Sequence, residues 1–415
     1  MRPGNSVRPA RPSRAPRERA LGSRARAAEW LGLTPEIVAV SAATFVMGLG
    51  ENLWRRFLPK YLESFGAPIT AIGLFGTAED FLDGVYQYPG GWIADRYGRR
   101  RALLLFVCLA AGGYALFAGM TAWPAAFAAL ALIMAWDAMA SPTLFAVVGD
   151  ALPREKRTMG FTVQSLLRRV PIVVAPTLGG IAIARLGLRA GVRLGLAASI
   201  LLALVTLAVA SRVRIPVVPD ETPTHIGHVW RAFPPVLRWL LTSDVFIRTC
   251  EGMVDVFIVL YAANVLGVSL ARFGVLVAVQ AATTMLVQLP AARVAQRTGK
   301  KPFVVATFVA FSLFPLTVVW ARSFAALVLA FVVGGLREIG EPARKALIVD
   351  LAVPSLRART VGLYYLCRSL AIAPAAFVGG LLWGVSPALP FYVAGSIGLL
   401  GTLVFARTVS AEHAG

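Results

Sequence analysis

The chain is short of the residues on which soluble enzymes rely for charge and acid–base chemistry. Of its 415 residues, 15% are charged and only three are histidine, against about 25% charged in an ordinary soluble domain. His225, His228 and His413 all fall outside the apolar stretches, so a proton carried within those stretches has to ride on a carboxylate. Cysteine is equally scarce. Cys108, Cys250 and Cys367 sit singly in apolar sequence, which excludes a disulfide framework or a CxxC metal site. There is no GxxxxGK[ST] phosphate loop, no HExxH and no GxSxG. Neither ATP-driven work by this chain alone nor protease or hydrolase chemistry is therefore expected. The expectation is a protein that is not an enzyme and holds no cofactor or metal.

What the chain has in abundance is apolar length. Hydrophobic residues make up 57% of it and the mean hydropathy is +0.70, which excludes a disordered chain. A bilayer core about 30 Å thick needs roughly 20 apolar residues per helix. That ruler gives twelve segments: 35–59, 70–93, 101–121, 124–149, 159–184, 191–212, 240–264, 270–293, 302–321, 324–349, 359–383 and 387–408. A strict hydropathy cut-off would lose spans one, seven and ten, which carry charges in mid-span, but an internal repeat requires them.

The 41 basic and 21 acidic residues leave a net charge of +20, and its distribution gives it a meaning. An even number of spans puts both ends of the chain on one side. Residues 1–30 hold eight arginines, and loops on that side add others, among them Arg96, Arg99, Arg100, Arg154, Lys156, Arg157, Arg297, Lys300 and Lys301. The other side offers only Lys60, Arg185, Arg189, Arg193, Arg272 and Arg322. The positive-inside rule then places both termini in the cytoplasm of a cell membrane, plasma or inner. The basic excess marks topology and contact with anionic lipid, not nucleic acid. The expected organisation is a basic arm (1–34), a six-helix bundle (35–212), a cytoplasmic linker (213–239), a second six-helix bundle (240–408) and a cytoplasmic tail (409–415). A cleavable secretory signal is not expected, because the first apolar run carries Glu51, Arg55 and Arg56; a transit peptide would share the composition of the arm.

The two bundles are related by a repeat of about 200 residues. GENLWRRFLPKYL, with Glu51, Phe57 and Tyr61, aligns with CEGMVDVFIVLY, with Glu251, Phe257 and Tyr261. ADRYGRR aligns with AQRTGKK, Pro142 and Asp150 with Pro342 and Asp350, Arg168 with Arg368, and Gly179-Gly180 with Gly379-Gly380. Two six-helix units in the same orientation form a parallel repeat about an axis along the membrane normal.

The run GGWIADRYGRRRALLL between spans two and three resembles the signature loop of the major facilitator superfamily. The resemblance covers nearly all of the chain after residue 35 and is degraded in the second half, where Gln296 stands at the position of Asp95. It implies an all-α membrane protein of twelve transmembrane helices, in two six-helix bundles related by pseudo-two-fold symmetry, that functions as a monomer. Gly91 allows close helix approach, Gly98 a tight turn, and Asp95 a contact with a helix N-terminus, while Arg96, Arg99 and Arg100 are placed to pair with Asp150. The resemblance implies a conformational latch made of these seven residues; the plainer alternative is a loop that only enforces topology. APTLGG in span five, with Pro176, Gly179 and Gly180, reads as a kink. It resembles the superfamily's fifth-helix motif, associated with antiporters, with Ala175 in place of the usual glycine.

Each ionisable group in mid-span costs at least about 2.5–3.5 kcal/mol on insertion scales, so such groups face water or one another. Helical spacing aligns Glu51 with Arg55, Arg248 with Glu251 and Asp255, Arg337 with Glu341, Arg344 and Lys345, and Asp80 with Asp83 and Gln87. In one reading Asp80, Asp83, Glu51, Glu251 and Glu341 carry protons; in the other they form permanent ion pairs. Asp80 and Asp83 have no arginine on their own helix. In the superfamily fold helices one, four, seven and ten line a central cavity, and most of the mid-span charges fall on those four; Arg55, Asp137, Arg168, Asp255, Arg337, Glu338 and Tyr261 are candidates for contact with substrate. The first functional reading is a proton-coupled secondary carrier exporting small organic molecules by alternating access. The alternative is a proton symporter importing a polar or anionic solute, and a third is a non-transporting membrane sensor.

Overall fold

A lipid environment offers backbone N–H and C=O groups no water to bond, so apolar spans must close their hydrogen bonds internally as helices. The computed structural model describes residues 35–140, 154–211, 226–231, 233–351 and 357–409, and among these every regular element is helical. The first span is α1 (Pro35–Asn52), a single 3₁₀ turn and α2 (Leu58–Ser64). The next five are α3 (Ile69–Tyr97), α4 (Arg99–Gly119), α5 (Ala125–Met134, prolonged by a π turn to Met139), α6 (Arg154–Leu186) and α7 (Leu188–Ala210). The short α8 (Ile226–Arg231) precedes α9 (Pro235–Leu260), α10 (Leu270–Thr298) and α11 (Lys301–Trp320). The tenth span is split into α12 (Phe324–Leu336) and α13 (Glu341–Leu351), and the eleventh into α14 (Arg357–Ile372) and α15 (Ala375–Val385). The last is α16 (Leu389–Thr408).

Among the described residues, seven helices pass on length and apolarity alone. The three spans expected to fail do fail, and spans two and four join them. Span two carries Glu79, Asp80 and Asp83 within one helix, and the apolar helix of span four is described only over Ala125–Met139. The seventh span starts at Pro235, ahead of the expected 240, because a proline at the first helical position forfeits no hydrogen bond. Pro176 lies within the uninterrupted α6 together with Pro171, whereas Pro374 separates α14 from α15.

The repeat is visible as matched packing. A Cβ on Gly179 would strike the Leu53 carbonyl and the Phe57 ring, and one on Gly379 would strike the Met253 carbonyl and the Phe257 ring. Close approach of α6 to the first span, and of α15 to α9, thus requires glycine at both places. The turns at Gly98 (φ 87) and Gly299 (φ 92) match in the same way, in a backbone region that glycine alone enters freely.

The two halves meet tightly at the end remote from those turns. Gly73 lies against Ala376 and Phe377, Gly274 against Pro176 and Thr177, and Gly180 against Leu270 and Ala271. Phe57 and Phe273 meet edge to face across the same boundary, 6.1 Å between centroids.

Candidate substrate cavity

Between the halves lies a cavity of about 490 Å³, within the 300–1,000 Å³ typical of small-molecule sites. Its charged lining comprises Glu51, Arg56, Asp137, Arg169, Glu251, Asp255, Arg337, Glu338 and Lys345. Lys345 is 60% exposed and sits on α13, whose Asp350 receives Lys300 from the Gly299 turn at 2.8 Å. The cavity therefore leads toward the end that carries the Gly98 and Gly299 turns and is sealed at the other.

Each half holds its own charge cluster behind this wall. In the first half Arg55 donates to Asp137 and Glu79 and lies 3.7 Å from Glu51, while the Tyr114 hydroxyl donates to Glu51. In the second, Arg248 donates to Glu251 at 2.7 Å and to Glu341 at 3.2 Å. Arg344 holds Glu341 through two hydrogen bonds and also donates to Asp244, which Tyr364 reaches at 3.2 Å. Such buried pairs satisfy charges that lipid cannot.

Helical spacing foretold part of this and misplaced the rest. Arg337 does not bond Glu341; it donates to Glu251 at 3.3 Å and to the Gly334 carbonyl. The spacing rule assumes a continuous helix, and the chain turns between Leu336 and Glu341. Asp255 does not join Arg248 but faces Arg56 across the cavity at 3.4 Å. Tyr261 does not line the cavity. Its ring is 4.8 Å from that of Phe391 and 6.2 Å from that of Trp383, near the sealed end. Arg55 lies behind the lining, and the adjacent Arg56 takes its place. Likewise Arg169 lines the cavity and donates to Glu338 at 3.4 Å, while the side chain of Arg168 lies outside the described residues.

Among the described residues no ion pair within 4 Å reaches Asp80 or Asp83. Asp80 borders a smaller chamber of about 150 Å³ between α3, α9 and the eleventh span, together with Glu79, Arg248, Glu251 and Asp255.

Of the latch residues, Arg100 donates to the Ser211 carbonyl, and the Arg96 guanidinium lies 5.5 Å from the centroid of the Trp92 ring. Gly98 makes the positive-φ turn. The surroundings of Gly91, the side chains of Asp95 and Arg99, and Asp150 lie outside the described residues.

Several partners escaped the sequence. Asp244, 0% exposed, stands four residues before Arg248, so the rule that joined Arg248 to Glu251 also reached back to it. Glu79 had no such signal, because its partner Arg55 is on another helix. The same holds at the sealed end, where Lys60 donates to Asn264 and Asn264 donates to Glu63 at 2.7 Å.

A twin-bundle helical membrane protein with a charged cavity between its halves has the architecture of a membrane carrier. The sequence profile of the Major Facilitator Superfamily matches residues 40–247 and again 240–414. The chain belongs to that superfamily: it is a multi-pass integral membrane transporter of the MFS type and not an enzyme. It is 19% identical over 380 residues, 90% of its length and 94% of the relative's, to an uncharacterized MFS-type transporter of Methanocaldococcus jannaschii. Over 140 residues, 34% of this chain and 36% of the relative, it is 26% identical to the quinolone resistance protein NorA of Staphylococcus aureus. The fold superposes on a POT family transporter crystallised with a thioalcohol-conjugated peptide, with TM-score 0.74, 13% identity and coverage of 89% of this chain and 95% of that one.

Proposed function

We propose that the chain is a proton-coupled secondary carrier that exports a small, charge-bearing organic solute from the cell by alternating access, working as a monomer in the plasma or inner membrane. The observation that carries the reading is the cavity between the halves, lined by nine ionisable side chains and sealed at one end. Lipid-facing structure has no use for such a lining, which costs insertion energy and gains nothing unless water or solute enters. The excess of basic loops on the open side favours placing that mouth, both termini and the 213–239 linker in the cytoplasm. The two bundles, 35–212 and 240–408, would rock about the cavity, with Gly91, Asp95, Arg96, Gly98, Arg99, Arg100 and Asp150 latching the alternative, outward-open state.

Asp80 and Asp83 are the first choices for proton binding, since an acid without a close cation can take up a proton without breaking an ion pair. Glu51, Glu251 and Glu341 follow, each held by arginine. Export is supported by the partial similarity to a quinolone resistance protein. The charged lining favours a polar solute, and that keeps proton-driven import as a second reading.

The test is flux in proteoliposomes under an imposed pH gradient, with a pH-sensitive dye inside. Solute leaving against entering protons supports export, and solute and protons moving together selects import. Solute movement that ignores the gradient removes proton coupling altogether.

A further inference from the structure

Two ion pairs cross the cavity from one half of the protein to the other, and both have the same polarity. Arg56 of the first half reaches Asp255 of the second, and Arg169 of the first half reaches Glu338 of the second, each at 3.4 Å. All four side chains line the cavity. The pairs are longer than the tightest pairs of the second half. Arg248–Glu251 and Arg344–Glu341 close to 2.7 and 2.6 Å, and Arg344 is 1% exposed. Across the cavity, by contrast, the Arg56 and Asp255 side chains are 41% and 42% exposed, and Arg169 and Glu338 23% and 28%. Long, solvated pairs contribute little, with a median of about 0–1 kcal/mol. Arg56–Asp255 is the pair whose two partners are both most exposed, and both cross-cavity pairs are open to displacement by a ligand in the cavity.

We infer that the cavity takes a small zwitterionic solute, whose anionic group binds Arg56 and Arg169 and whose cationic group binds Asp255 and Glu338. Guanidinium groups suit a carboxylate or phosphonate through paired N–H donors, and two carboxylates on the facing wall suit an ammonium. A dipolar solute replaces both partners of a cross-cavity pair at once. A singly charged solute engages one wall only and forgoes the charge-assisted hydrogen bonds of the other. Asn52, Gln280 and Thr284 in the same lining supply neutral hydrogen-bonding groups. The inference rests on the carrier reading for its purpose, but it concerns binding and is testable without flux.

The experiment measures binding to the purified full chain by thermal shift and calorimetry with four matched sets of probes. These are free amino acids from glycine to tryptophan, their N-acetyl derivatives, their amides and their N-acetyl amides. Zwitterions are expected to bind at least about tenfold more tightly than either singly charged counterpart. Arg169→Gln should erase the preference for free acids over amides, and Glu338→Gln the preference for free amines over N-acetyl compounds. Where Arg169→Gln does not yield folded protein, Arg169→Lys keeps the charge while losing the paired donors and should weaken acid binding only. Equal binding of amides and parents, or no binding in any set, overturns the inference. Gradient-driven flux of another solute would then leave the carrier reading standing. Zwitterion binding without flux under any gradient would instead sink the carrier reading and leave this site in place.

Discussion

Arg344 and Asp244, a hundred residues apart, form an ion pair in which both side chains are 1% exposed. The pair ties α13 to α9, and Tyr364 of α14 adds a hydrogen bond to the same carboxylate. Three spans of the second half are therefore fastened at one fully enclosed charge.

Removing the Asp244 charge leaves Arg344 with Glu341 as its remaining partner. Asp244→Asn is expected to destabilise the folded protein by about 1–3 kcal/mol, the range for a buried group that loses a hydrogen-bonded partner. The check is the denaturation midpoint in detergent. An unaltered midpoint in Asp244→Asn would show that the pair does not hold the bundle.

Close packing of glycine predicts a contrast within one residue type. Gly179→Ala puts a methyl into the Leu53 carbonyl, whereas an alanine at Gly112 meets nothing within 4 Å. The first should lower thermal stability. The second should be neutral or raise it by about 0.5–1 kcal/mol, the usual helix preference for alanine. Melting of the two variants side by side decides the matter.

At the sealed end Asn264 bridges Lys60 and Glu63 of the other half. Asn264→Leu removes both contacts without adding charge, so the population open at that end should rise. Spin-label distances between positions 65 and 266 would lengthen or broaden. A distribution identical to that of the parent would mean that apolar packing alone closes this end.

Asp83→Asn and Asp80→Asn test the proton site. Each is expected to fold, to bind solute and to lose gradient-driven flux, with exchange in the absence of a gradient retained. Undiminished gradient-driven flux in both variants would remove these residues from the coupling mechanism.

The single chain of residues from Glu51 to Tyr61 shows how legibility ends. Its membrane depth, its counterpart near 251 and the Glu51–Arg55 contact all follow from composition, repeat and spacing, because each depends only on local helix geometry. Which of Arg55 and Arg56 turns to the cavity does not follow. Successive residues of the 3₁₀ turn Arg55–Phe57 point about 120° apart, so packing within the first half gives Arg55 to Glu79 and Asp137, and the docking of the halves gives Arg56 to Asp255. Arg337 makes the same point, since a turn that ends α12 took it from the partner its spacing suggested.

The sequence by itself determined the membrane class, the span order, the duplication and the presence of charges that had to be sheltered from lipid, because those depend on how many apolar residues run together and at what period. Only the tertiary structure decided which charges meet across the halves and which end is sealed. Contacts between residues some 200 positions apart arise from how two finished bundles pack, and no local pattern encodes that geometry.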